Sequence, residues 1–122
     1  MNRRSIVRIA AALAFVFAAP AAFAHAQLEK ATPAVGGAVT SPAEIRLKFS
    51  EGVEPHFSGV ALTAEGGAAV PLGKPSVDPA DKSVLIVKIA RTLPPGVYTV
   101  TWRAVSVDTH HTQGNFQFTV TP

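Results

Sequence analysis

Residues 97–107 read Val-Tyr-Thr-Val-Thr-Trp-Arg-Ala-Val-Ser-Val, and this run decides the fold class. It is rich in β-branched and aromatic residues and has no glycine or proline, which predicts a long β-strand. Apolar and polar residues alternate in 44–49 and 115–120, and this period of two predicts a strand with one buried face in each segment. Segments 59–64 and 83–89 predict two further strands.

Turn-forming residues separate these strands. They are Gly36-Gly37, Ser41-Pro42, Gly66-Gly67, Asp78-Pro79, Pro94-Pro95-Gly96 and Gln113-Gly114. Residues 25–122 show no helical periodicity, so we expect an all-β domain of about seven antiparallel strands, a small β-sandwich or Greek-key barrel. Its core is expected to contain Phe49, Leu62, Leu85, Val87, Val100, Trp102 and Phe118.

The N-terminus has the three parts of a secretory signal. Three arginines within the first eight residues precede the apolar stretch 9–24, which ends on the small-residue pattern Ala22-Phe23-Ala24. The stretch is alanine-rich and is interrupted by Pro20, which is unfavourable for a permanent span of about 20 residues. We therefore predict a signal peptide over 1–24, export across the membrane, and a mature domain over 25–122 without a membrane span.

The net charge of +3 originates in this signal. Its removal takes the 11 basic residues to 8, which equals the 8 acidic residues. The mature domain is therefore neutral and has no cluster of Lys and Arg, so we expect no nucleic-acid binding. The chain has no cysteine, and its one methionine is Met1. This composition excludes disulfides, thiolate or thioether metal ligands, and a cysteine nucleophile from the mature domain.

The histidines are the most distinctive polar residues. Cleavage after Ala24 would make His25 the first residue, whose free amine and imidazole Nδ1 can chelate one metal ion. Asp108 and His110 are two positions apart, so in an extended segment their side chains would point to the same side. Together these residues offer three nitrogens and one oxygen, a donor set that suits Cu(II), with Zn(II) as an alternative.

The remaining candidate ligands are weaker. His56 lies in a turn-like segment and is interpreted as a surface imidazole. His111 would face the opposite way from its neighbour and is an exposed residue or a weak auxiliary ligand. Glu51 is either a solvated carboxylate or a group that orients the amine or a ligand imidazole. Cleavage after Ala26 is a second possibility, and it would remove His25 and most of the site.

Several blocks of the mature chain occur in the order and spacing of a known family: 25–26, 28–33, 42–51, 57–60, 93–103, 105–110 and 114–118. In these blocks the sequence resembles the CopC-type periplasmic copper-binding proteins of bacterial copper resistance. The resemblance implies a small, immunoglobulin-like Greek-key β-barrel and a Cu(II) site of His25, Asp108 and His110, with Glu51 nearby. It implies a monomeric copper buffer or carrier of copper homeostasis, with no enzymatic activity, that works with a membrane copper transporter of the CopD type.

One feature of that family is not expected here. Some members have a second site for Cu(I), built from a methionine-rich loop and a histidine. No methionine survives cleavage in this chain, and Cu(I) prefers thioether or thiolate ligands.

Two other functions stay open. N-terminal histidine ligation is also found in copper enzymes of the histidine-brace type. However, a domain of 98 residues has little surface for a flat substrate, and Asp108 would fill a position that oxygen chemistry needs open. A metal-free β-sandwich that binds other proteins through its exposed sheet edges is the third possibility.

Overall fold

The computed structural model describes residues 26–122, and the regular elements of this part of the chain are all β-strands. They are β1 (Leu28–Thr32), β2 (Ala38–Val39), β3 (Glu44–Phe49), β4 (Gly59–Ala64), β5 (Ala69–Val70), β6 (Ser76–Asp78), β7 (Asp81–Lys88), β8 (Gly96–Val105) and β9 (His111–Val120). The predicted all-β fold is confirmed. The strand number exceeds the predicted seven because β2 and β5 have two residues each, too few to show a period.

The predicted signal peptide and His25 lie outside the described residues. Within residues 26–122, no helix is long and apolar enough to cross a membrane.

The strands form two sheets that enclose a common core. One sheet has the order β1-β3-β7-β6, and the other has the order β2-β9-β8-β4-β5. Neighbouring strands are antiparallel except β2, which pairs parallel to β9. Such an arrangement of two mainly antiparallel sheets is a β-sandwich.

The long strand predicted from residues 97–107 is β8, at the centre of the second sheet. It pairs with β9 along its whole length, from Gly96 opposite Val120 to Val105 opposite His111. Its alternate residues from Tyr98 to Ala104 are buried, and all seven predicted core residues are at most 8% exposed. The packing of alternate faces from both sheets therefore confirms the predicted core.

One predicted turn is wrong. Gln113-Gly114 lies inside β9, opposite Arg103 and Trp102 of β8. Glycine occupies this position because the indole of Trp102 packs across it: a Cβ on Gly114 would lie 2.6 Å from the ring atom Cζ2. The same indole meets Phe49 of the opposite sheet edge-on, with ring centroids 5.2 Å apart. The glycine thus marks a close approach inside a strand and not a turn.

Tyr98 ties the loop before β8 to the core. Its hydroxyl donates a hydrogen bond of 2.6 Å to the carbonyl of Pro94, four residues upstream, and its ring stacks on Phe118. A tyrosine that bonds back to the backbone at the start of a strand is a recurrent feature of immunoglobulin-like sandwiches.

Candidate metal centre

The predicted Asp-x-His motif lies in the hairpin turn that connects β8 to β9. The N–H of Ser106 donates to the carbonyl of His110 at 2.9 Å, and the N–H of Thr109 donates to the carbonyl of Ser106 at 2.8 Å. Thr109 adopts a left-handed backbone conformation, with φ of 71°. These features define a three-residue hairpin loop that ends in a bulge. The expectation that the motif is extended is therefore wrong.

The turn nevertheless brings the two predicted ligands together. Oδ1 of Asp108 lies 3.3 Å from Nδ1 of His110, and the two side chains are 41% and 49% exposed. A carboxylate and an imidazole thus lie side by side at the surface, where an ion can reach them. The cause of their approach is the tight turn at Thr109 and not the alternation of side chains along a strand.

A buried hydroxyl lies against this pair. Ser106 is 0% exposed, and its Oγ donates a hydrogen bond to Oδ1 of Asp108 and accepts one of 3.1 Å from the backbone N–H of His110. The hydrogen bond from Ser106 is the main reason that the pKa of the Asp108 carboxyl is lowered. Partial burial opposes this effect, and the neighbouring His110 lowers the pKa further. Asp108 is therefore ionised near neutral pH, which is the form that binds metal ions.

Sequence reasoning missed Ser106. The only signal available was its position, two residues before the candidate ligand Asp108 and at the end of the β-rich run. That position does not reveal whether a serine hydroxyl points toward solvent or into the turn.

The structure places Glu51 beside the pair. Its side chain is half-buried and lies next to the carboxyl of Asp108. The backbone explains this position, because the N–H of Val107 donates to the carbonyl of Gly52 at 3.0 Å. The loop after β3 is thereby held against the turn between β8 and β9.

The first described residues are anchored at the same end of the sandwich. Ala26 is completely buried, and its carbonyl accepts a hydrogen bond of 2.7 Å from Oγ1 of Thr112, near the start of β9. The N–H of Gln27 donates to Oγ of Ser50 at 2.8 Å, and the N–H of Ser50 donates to the carbonyl of Gln27 at 2.8 Å. The segment 26–27 is therefore held between the end of β3 and the start of β9, which belong to different sheets.

The other two histidines within the described residues form no metal-binding group with Asp108 and His110. His56 is exposed in the loop between β3 and β4, and His111 is exposed at the first position of β9. No group of three His, Cys, Asp or Glu side chains suited to one metal ion occurs within residues 26–122. The contribution predicted for His25 lies outside this part of the chain.

Comparison with known proteins identifies the family. The family model described as the CopC domain matches residues 28–121. This chain belongs to the CopC family. The similarity predicted from the sequence blocks is thereby confirmed, and CopC-family membership gives the protein a copper-related function.

Three relatives are similar to this chain over most of its length. Protein YobA of Escherichia coli (strain K12) is 40% identical over 118 residues, which are 96% of this chain and 95% of YobA. Copper resistance protein C of Pseudomonas syringae pv. tomato is 37% identical over an alignment of 125 positions, and the alignment covers 98% of each chain. Copper transport protein CutJ of Bacillus subtilis (strain 168) is 31% identical over 109 residues, which are 88% of this chain but 20% of CutJ. Where these names state a role, it is copper resistance or copper transport, and none of them names an enzymatic reaction.

A solved CopC-family structure has the same fold. The crystal structure of PcoC, named as a methionine-rich copper resistance protein from Escherichia coli, matches with a TM-score of 0.74 and 38% identity. The match covers 80% of this chain and 100% of PcoC. The present chain differs in composition, because Met1 is its only methionine.

Proposed function

We propose that this CopC-family protein binds Cu(II) in the periplasm and acts as a copper buffer or carrier in copper resistance. The ion would be held by the amine and imidazole Nδ1 of His25, one oxygen of Asp108 and one ring nitrogen of His110, with Glu51 nearby. The observation that carries this proposal is the accessible Asp108–His110 pair, 3.3 Å apart. Cu(II) favours such nitrogen and oxygen donors in a tetragonal plane.

The anchoring of Ala26 supports the role of His25. The carbonyl of Ala26 accepts a hydrogen bond from Thr112, two residues after His110 in the chain. Ala26 directly follows His25 in the sequence, so this anchor lies next to the proposed ligand along the chain. Burial of Ala26 also favours cleavage after Ala24, since cleavage after Ala26 would remove a completely buried residue.

The donor chemistry supports Cu(II) and not Cu(I) as the bound ion. The mature chain has neither cysteine nor methionine, and Cu(I) prefers thiolate or thioether ligands. A protein with a Cu(II) site but no Cu(I) site is suited to the storage or delivery of Cu(II). It is not suited to moving copper between a Cu(I) site and a Cu(II) site.

The similarity to CutJ supports a membrane copper transporter as the partner. The matched region makes up 20% of CutJ, so a CopC-like domain is there part of a much longer chain that is named for copper transport. We infer that the present protein is a monomer and exchanges copper with a transporter of the CopD type.

The test is a Cu(II) titration of metal-free protein that begins at His25, in competition with a chelator of known affinity. We expect one tightly bound Cu(II) per chain and the release of protons on binding, because the amine must be deprotonated. One extra residue before His25, or the substitution His110→Ala, should abolish tight binding. His56→Ala is the matched control and should bind copper like the wild type, since His56 is exposed in a different loop.

Two results would contradict the proposal. Tight binding by the N-terminally extended protein would exclude the amine as a ligand. Mass spectrometry of the exported protein provides the second check, because a mature chain that begins at Gln27 would lack His25 altogether.

A further inference from the structure

We propose that Ser106 is a positioning residue of the copper site, whose buried hydroxyl holds the Asp108 side chain and the His110 backbone in place before the metal binds. This inference rests on the proposed function. It starts from one atom, Oγ of Ser106, which donates to Oδ1 of Asp108 and accepts the N–H of His110 at 3.1 Å. Both predicted metal ligands of the hairpin are thus bonded to the same hydroxyl.

The backbone of Ser106 closes the same turn. Its N–H donates to the carbonyl of His110 at 2.9 Å, and its carbonyl accepts the N–H of Thr109 at 2.8 Å. Val53, from the loop after β3, forms an isolated bridge with Ser106 on the other side. The hydroxyl is therefore attached to a backbone position that is held from both sides.

Ser106 is too deeply placed to be a ligand itself. It is 0% exposed, and its hydroxyl already donates to one partner and accepts from another. Asp108, by contrast, is 41% exposed on its solvent side. The physical effect of Ser106 is to restrict the rotation of a half-exposed carboxylate, so that less conformational freedom is lost when Cu(II) binds.

A second buried serine provides a matched control. Ser58 is 6% exposed, and its Oγ donates to the carbonyl of Glu54 at 2.7 Å and accepts the N–H of Val105 at 3.0 Å. It lies next to the same end of β8, and its hydroxyl likewise donates to an oxygen and accepts a backbone N–H. Its partners are backbone atoms only, and neither belongs to a predicted ligand.

The experiment compares Ser106→Ala and Ser58→Ala with the wild type, all beginning at His25. For Ser106→Ala we expect the Cu(II) dissociation constant to rise about tenfold, which corresponds to about 1.4 kcal/mol. We also expect a changed parallel hyperfine splitting in the Cu(II) electron paramagnetic resonance spectrum and, in metal-free protein, faster amide hydrogen exchange at His110. Ser58→Ala should lose stability similarly but keep the copper affinity within about twofold and the wild-type spectrum.

The outcomes separate this role from the proposed function. Wild-type copper affinity and spectrum in Ser106→Ala, or equal losses of affinity in both variants, would exclude the positioning role alone. Failure of the wild type to bind Cu(II) would exclude both proposals. Should Ser106→Ala fail to fold, the wild type itself provides the test: three-bond Hα–Hβ couplings in metal-free protein should show one Asp108 rotamer, and averaged couplings would exclude the role.

Discussion

The hydroxyl of Thr112 donates a hydrogen bond of 2.7 Å to the carbonyl of Ala26, and this contact joins the first described residue to the strand that follows His110. The two residues are 86 positions apart in the chain. Because Ala26 is completely buried, its carbonyl has no access to water as an alternative partner. The contact therefore fixes the direction in which the chain enters the sandwich.

Thr112→Val should weaken copper binding without unfolding the domain. The substitution keeps the side-chain shape but leaves the Ala26 carbonyl without its partner, which should lower the free energy of unfolding by about 1–3 kcal/mol. We expect the entering segment to become more mobile and the Cu(II) dissociation constant to rise about tenfold. Amide hydrogen exchange at Gln27 and a chelator competition measure the two effects.

Thr121→Val is the control for that substitution. Oγ1 of Thr121 donates to the carbonyl of Val39 at 3.2 Å, so it also bonds a backbone carbonyl but lies just beyond the opposite end of β9. The Val39 carbonyl also accepts the backbone N–H of Thr121 at 2.8 Å, so this variant should lose less stability than Thr112→Val and should retain copper affinity. Equal copper affinities in the two variants would contradict a role for the Thr112 bond in the site.

Thr109→Gly should stabilise the metal-free protein. A β-branched residue with φ of 71° is strained, and the left-handed conformation costs an L-residue about 1–2 kcal/mol. Glycine removes this cost but adds about 0.5–1 kcal/mol of conformational entropy loss, so we expect a net gain of about 0.5–1 kcal/mol in the free energy of unfolding. Copper affinity should fall, because the turn that carries Asp108 and His110 becomes more flexible.

Ser41→Gly is the matched variant for this prediction. Ser41 has φ of 46° and lies in the turn between β2 and β3. This turn carries none of the predicted metal ligands. Urea denaturation should show that this substitution also raises the free energy of unfolding. Copper affinity should stay unchanged. A loss of stability in Thr109→Gly would show that the turn is not strained at this position.

The stability of the metal-free protein should depend on pH through Asp108. Hydrogen bonds, first of all that from Ser106, lower the pKa of this carboxyl in the folded state. Its stabilising effect is therefore complete above the ordinary carboxyl pKa of about 4 and is lost as the pH falls through the lowered native pKa. Asp108→Asn should remove the contribution of this carboxyl to the loss of stability at low pH. Urea denaturation at successive pH values measures the free energy of unfolding of both proteins.

A nuclear magnetic resonance titration identifies the cause. In Ser106→Ala the pKa of the Asp108 carboxyl should rise toward its ordinary value, because the largest lowering contribution is gone. An unchanged titration of Asp108 in this variant would contradict the assigned hydrogen bond.

Gly114→Ala should destabilise the core. Its Cβ would lie 2.6 Å from Cζ2 of Trp102, a ring that is packed between both sheets, so the indole has to move. Overpacking of this kind costs about 1–3 kcal/mol. Denaturant unfolding followed by the fluorescence of Trp102, the single tryptophan, measures the loss.

Gly73→Ala tests whether that loss is specific to the indole. A Cβ on Gly73 would lie no closer than 3.6 Å to Lys88, and no left-handed conformation is required there. Its unfolding free energy should equal or slightly exceed that of the wild type. Similar losses in both glycine variants would contradict the proposed clash at Gly114.

Local sequence patterns predicted most of the fold. The alternation in 44–49 and the β-rich run from Val97 correspond to β3 and β8, because a strand buried on one face must repeat every two residues. The same local logic failed at Gly114, where glycine makes room for Trp102 of the neighbouring strand. In the sequence alone, a glycine that accommodates a ring from a neighbouring strand cannot be distinguished from a glycine in a turn.

For the site, the sequence by itself determined the donor types: a chain whose one methionine is Met1 and which has no cysteine offers nitrogen and oxygen ligands. It also singled out Asp108 and His110. Only the tertiary structure decided how they meet, through the left-handed turn at Thr109 and the buried hydroxyl of Ser106. It also decided where residues 26–27 are held. The physical reasons differ: the bond between Thr112 and Ala26 joins residues 86 positions apart, and the direction of the Ser106 side chain depends on the conformation of the turn. No local period records either of them.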